Sequence, residues 1–151
     1  MRTSSLVSAT LFATASASQA PIVHSKAGIF HGRYLPTFDQ DVFLGIKFAP
    51  KPERFSPAVL SADAPRGEFD ATQYGVDCTG YGSDTNTLVG GGLTTLGEDC
   101  LHLNIVRPKV KKGKEQLPVL LWIYGGGWQQ GATSDPRYVR TWYLALTHSG
   151  F

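Results

Sequence analysis

The chain predicts an α/β fold, on three observations. Near the N-terminus, short runs of apolar and β-branched residues separated by turn residues describe an antiparallel meander. Residues 117–124 are apolar almost without interruption, the pattern of a strand covered on both faces inside an α/β sheet. Beyond them, Tyr138, Trp142 and Leu146 recur at helical spacing.

Composition sets the limits. A length of 151 residues allows one rather small domain. Three Trp, six Tyr and eight Phe supply enough apolar area to offset the entropy of ordering, which argues against disorder. No stretch approaches the roughly 20 apolar residues of a membrane span, so an integral membrane protein is excluded. The formal charge of +2, from 14 Lys+Arg against 12 Asp+Glu, is too mild for a nucleic-acid binder. Two cysteines are too few for a disulfide miniprotein, and no cluster has metal-ligand spacing, so neither metal nor cofactor is implied.

Residues 1–17 have the form of a secretory signal. Met1-Arg2 is a minimal basic start, residues 6–13 are mildly apolar, and Ala15-Ser16-Ala17 fits a peptidase site. Cleavage after Ala17 is favoured, because cleavage after Ala20 would leave Pro21 at the new terminus. The expected location is therefore extracellular, where disulfides persist.

The elements follow in order. Residues 22–25, 28–34 and 41–46 read as strands, with Lys26-Ala27-Gly28 and Leu35-Pro36-Thr37 as the turns between them. Four prolines within residues 49–65 (Pro50, Pro52, Pro57, Pro65) exclude a helix or central strand and predict extended loop. Residues 71–97, rich in Gly, Thr, Asp and Ser, form a long loop between Cys78 and Cys100. Residues 100–107 alternate, with Leu101, Leu103 and Ile105 on one face and His102, Asn104 and Val106 on the other, as a half-buried strand does. The five basic residues in 107–114 read as a solvated connection, since no aromatics interleave.

The apolar run ends in Gly125-Gly126-Gly127-Trp128. Three residues without Cβ let backbone amides approach a ligand and converge on one oxygen, which suits an anion site or an oxyanion hole. A phosphate loop would end in Gly-Lys-Ser/Thr, whereas Trp128-Gln129-Gln130 follows here. A dinucleotide fingerprint would need glycine where Gln130 stands.

Four stretches occur together in this order: Phe43-Leu44-Gly45-Ile46, Arg54-Phe55, Glu98-Asp99-Cys100-Leu101-His102-Leu103-Asn104-Ile105, and residues 118–128. Over residues 22–138 the chain resembles the type-B carboxylesterase/lipase family, the cholinesterase-like branch of the α/β-hydrolases. The resemblance implies an incomplete α/β-hydrolase fold: an N-terminal antiparallel meander plus the first strands of the central sheet. It implies a carboxylic ester hydrolase acting on small-molecule or lipid esters, with Gly126 and Gly127, supported by Gly125, donating amides to the oxyanion hole. It further implies a Cys78–Cys100 disulfide and a buried Arg54–Glu98 ion pair, and it puts Tyr124 where many relatives have His. His102 matches no catalytic residue of the family, and His24, His31 and His148 read as surface or loop residues.

Family chemistry is acyl transfer by a Ser, His and Glu/Asp triad, with the serine on a Gly-x-Ser-x-Gly elbow. The chain has no such elbow; Gly80-Tyr81-Gly82-Ser83-Asp84, for example, fails the pattern. Residues 18–151 are therefore expected to be the N-terminal part of a longer enzyme, ending before the elbow and inactive alone. The alternative is a non-catalytic, cholinesterase-like secreted binding or adhesion protein. The esterase reading expects two things of the structure, and failure of either is expected to overturn it: glycine amides not bonded within the protein, and a preceding strand that lies in a sheet.

Overall fold

A computed structural model describes residues 20–57, 67–83, 95–109 and 117–138. The expected signal at 1–17, residues 58–65 of the proline-rich stretch, the middle of the 71–97 loop and the helical pattern after Tyr138 lie outside the described residues. The described strands are β1 (Ile22–Ser25), β2 (Gly28–His31), β3 (Arg33–Leu35), β4 (Gln40–Lys47), β5 (Glu68–Asp70), β6 (Asp77–Cys78), β7 (Leu96–Gly97) and β8 (His102–Pro108).

The expected meander divides between two sheets. β1 and β2 form a hairpin around Lys26-Ala27, and β5 joins β2 in parallel, with Phe30 and Phe69 stacked 5.2 Å apart. β3, β4 and β8 form an antiparallel sheet, while β6 and β7 make a short parallel pair. The single strand expected over 28–34 breaks at Gly32, where the chain passes from one sheet to the other. A Cβ there would lie 2.6 Å from the Val42 carbonyl and from the Phe43 ring.

Val42 and Leu44 on β4 form the core, covered by Leu35, Phe38, Tyr74 and Val106. Between Phe43 and Ile46 the β4–β8 register slips, so that Leu44 and Gly45 together oppose Asn104. Such a bulge suits a glycine in the left-handed region, and Gly45 has φ +66°. Its α-carbon leaves no room for a side chain: a Cβ would meet the Gln73 carbonyl at 2.7 Å. The Leu44 amide turns away from β8 to bond the Ala71 carbonyl at 2.8 Å.

Of two strand expectations, one is met and one needs correction. β8 forms, and the face that meets the core carries Val106, with Asn104 half-buried beside it. Alternation says which residues share a face and not which face is covered. Leu103 and Ile105 instead line an open apolar recess of ≈ 320 Å³ with Val23, Phe30, Phe43 and Ile46. Residues 117–124, expected as a strand inside the sheet, carry no sheet hydrogen bonds among the described residues. Val119, Leu121 and Ile123 are 94%, 80% and 79% exposed. A strand needs a neighbour to satisfy its amides and carbonyls, and no described strand lies alongside this one.

Candidate functional site

The glycine run folds as a tight turn. Gly126 and Gly127 have φ +138° and +63°, and Trp128 follows at +63°. The first angle is closed to a side chain: a Cβ on Gly126 would fall on the Gln130 carbonyl. The amides of Gln129 and Gln130 both donate to the Gly126 carbonyl at 3.2 Å and close the turn. Among the described residues, the amides of Gly125, Gly126 and Gly127 find no acceptor. The Cβ positions of Gly125 and Gly127 have no atom within 4 Å, so space remains on that side for a ligand atom. Trp128 stands fully exposed at the tip.

Beyond the tip the chain is anchored. The Gln129 carbonyl accepts the Tyr81 amide at 2.7 Å. Gly131 lies so close to the Tyr124 ring that a Cβ would meet its Cδ2 at 2.5 Å. Ala132 and Asp135 are buried. Asn104 donates from Nδ2 to the Thr133 carbonyl at 3.3 Å, and the Ser134 hydroxyl donates to Asp77, which is itself buried on β6. Asp135 then starts a helical turn: its Oδ1 accepts the Arg137 amide at 2.9 Å, and Pro136 takes the first helical position.

Two carboxyl or phenol groups near the turn titrate away from their ordinary values. Hydrogen bonds from the Arg137 side chain, with its backbone amide and charge adding, hold Asp135 below the usual carboxylate range against the opposing effect of burial. Burial, with Asp77 nearby, pushes the Tyr124 phenol up, so it remains neutral at physiological pH.

The other expected site residues lie along the flank. Cys78 and Cys100 form a disulfide with Cα atoms 5.0 Å apart, closing the loop from which Tyr81 reaches the turn. Arg54 meets Glu98 at 3.1 Å, but their side chains are 73% and 49% exposed, so the expectation of a buried pair is corrected. Solvent screens such a pair, and it is worth only about 0.2–1 kcal/mol. Next to it, Lys47 bonds Asp99 and draws that carboxyl below its usual range. His24 and His31 lie on β1 and β2, with His31 against Glu68 at 3.2 Å; His148 is outside the described residues.

Glu98, Asp99, Cys100 and Asn104 thus each reach a different segment of the chain. Sequence reasoning missed Asn104, Asp77, Ser134 and Asp135. The Asp135-Pro136 dipeptide is a readable helix start, and a lone amide within an apolar strand is a readable anomaly. Nothing local marked Asp77 or Ser134. No group of side chains suited to a metal ion occurs among the described residues, and no described helix is long and apolar enough to cross a membrane.

The model of the carboxylesterase family matches residues 19–147. Gut esterase 1 of Caenorhabditis elegans is 40% identical over 121 residues, covering 78% of this chain and 20% of that protein. Fumonisin B1 esterase of Sphingopyxis macrogoltabida is 36% identical over 118 residues, 76% of this chain and 20% of that protein. Among solved structures, a thermophylic PNB esterase superposes with a TM-score of 0.66 at 31% identity, over 80% of this chain and 24% of its own. The chain thus spans about a fifth of the length of the curated relatives it matches. Its fold is a partial α/β-hydrolase fold corresponding to the N-terminal portion of these esterases. Of the two structural expectations attached to the esterase reading, the amides meet theirs and the sheet strand does not; the expectation that such a failure would overturn the family is corrected by the family match.

Proposed function

The chain belongs to the carboxylesterase family, and from that premise we propose that it is the oxyanion-loop portion of a secreted carboxylic ester hydrolase. In this reading the amides of Gly126 and Gly127 receive the negative charge that develops on the ester carbonyl oxygen, as in lipases and esterases generally. Gly125 supports the turn, and Tyr124 closes its base as a neutral phenol. The nucleophile, acid and histidine come from sequence other than these 151 residues, so the chain alone has no turnover. The observation that carries the reading is the Gly126–Gly127 turn, with amides unclaimed by the described protein and open space at the Cβ position of Gly127. The Cys78–Cys100 bond supports export to an oxidising compartment, following removal of residues 1–17.

The test is a graft of residues 20–138 in place of the matching segment of the thermophylic PNB esterase. The folded graft hydrolyses short-chain nitrophenyl esters. Gly126→Ala in it lowers kcat by roughly 10²-fold, because the new Cβ displaces the amides. A folded graft without activity, or a Gly126→Ala graft with unchanged kcat, overturns the proposal. Reading the gene beyond the codon for Phe151 separates the non-catalytic alternative. A frame containing Gly-x-Ser-x-Gly supports the enzyme, and a family-like frame with that serine replaced supports the binding protein.

A further inference from the structure

We propose that Asn104 is a positioning residue for the glycine turn, acting through Thr133. The inference rests on the oxyanion reading of that turn and assigns the residue that holds it in place.

Asn104 sits on β8 opposite the two-residue bulge of β4, where the regular ladder cannot reach Gly45. Its side chain fills both gaps. Oδ1 accepts the Gly45 amide at 2.9 Å, replacing the lost ladder bond, and Nδ2 donates to the Thr133 carbonyl at 3.3 Å. One side chain therefore joins β4, β8 and the chain two residues past Gly131. A primary amide carries an acceptor and a donor on two separate atoms, so it can bridge both partners at once at neutral pH. Asp keeps the acceptor and lacks the donor, and Leu lacks both.

The placement matters because of how the chain enters the turn. The chain enters the turn through residues 117–123, which form no sheet hydrogen bonds among the described residues. The turn is therefore fixed from the other side, through Tyr81 to Gln129, Asn104 to Thr133 and Ser134 to Asp77. Of these, only Asn104 ties the turn to the β3–β4–β8 sheet that carries the Val42–Leu44 core.

The measurement is hydrogen exchange of the full 151-residue chain, read as protection factors on peptides covering 40–47 and 126–135. In Asn104→Asp at pH 7 the carboxylate retains the Gly45 bond and faces the Thr133 carbonyl with no proton to give. Peptide 126–135 then loses protection by roughly tenfold while 40–47 keeps it. Lowering the pH to about 3, below the ordinary carboxyl value of about 3.9, protonates that carboxyl and returns protection to 126–135 relative to wild type at the same pH. Asn104→Leu loses protection in both peptides and shows no recovery in acid. The proposal is overturned by wild-type protection of 126–135 in Asn104→Asp, by loss without recovery in acid, or by a wild-type chain with no protection there. The oxyanion reading fails separately, through an unchanged kcat in the Gly126→Ala graft, because exchange is read without substrate.

Discussion

The two arms of the glycine turn differ sharply. The lead-in, residues 117–123, is among the most apolar stretches of the chain and is exposed along its length. The exit, residues 131–135, is built of Gly, Ala, Thr, Ser and Asp, yet it holds the buried Ala132 and Asp135. Hydrophobicity alone would reverse that order. Burial needs a partner surface, and the small polar residues have one in β6 and β8, whereas the apolar arm makes no sheet hydrogen bonds among the described residues and Trp122 meets the Tyr138 ring.

Matched substitutions test this contrast, beginning with the largest effect. Leu44→Ala, in the core of the sheet to which the exit arm is tied, should cost about 2–4 kcal/mol in urea denaturation. The same change at Leu121 should cost less than about 0.5 kcal/mol, because little of that side chain leaves water. Equal costs would mean that the lead-in is packed. Replacing Cys78 and Cys100 together by Ser should lower stability by on the order of 3 kcal/mol, since the bond closes a loop of 22 positions. Exchange at Tyr81 should accelerate with it.

A smaller effect depends on pH. The folded state holds the Asp135 carboxyl below its ordinary value through Arg137. Its stabilisation is therefore complete above the unfolded value of about 3.9 and disappears as pH falls through the folded one. Asp135→Asn should flatten that part of the acid limb of a stability–pH curve and leave the curve near pH 7 parallel to wild type. An acid limb of unchanged steepness would assign the effect to other carboxylates. The smallest effect belongs to Arg54→Ala, about 0.2–1 kcal/mol and weaker in salt. A loss of several kcal/mol would require the Arg54–Glu98 pair to be buried.

Local chemistry was readable where it decides local shape. The bounds of β1 agree with the expected strand residue for residue, and the glycine run lies in a turn as its composition demands. Pairing was less readable. Residues 28–34 carry one strand signal, but the approach of Gly32 to Val42 and Phe43 divides them between two sheets, a clash that exists only in three dimensions. In residues 100–107 alternation identified the strand and its two faces but could not say which is covered; the Leu103–Ile105 face meets an open recess. At the candidate site, sequence reasoning found the turn and its flanking cysteines, whereas Asn104 acquires its partners from segments 59 and 29 positions away.

The extra residue at Leu44–Gly45 also resets the parity of β4. Phe43 and Ile46 are an odd number of positions apart, so an unbroken strand would send them to opposite sides, yet both line the same recess. Excising Leu44 or Gly45 would leave Phe43 and Ile46 two positions apart, so a regular ladder would keep both on the recess side while the Asn104 amide lost the vacancy it fills.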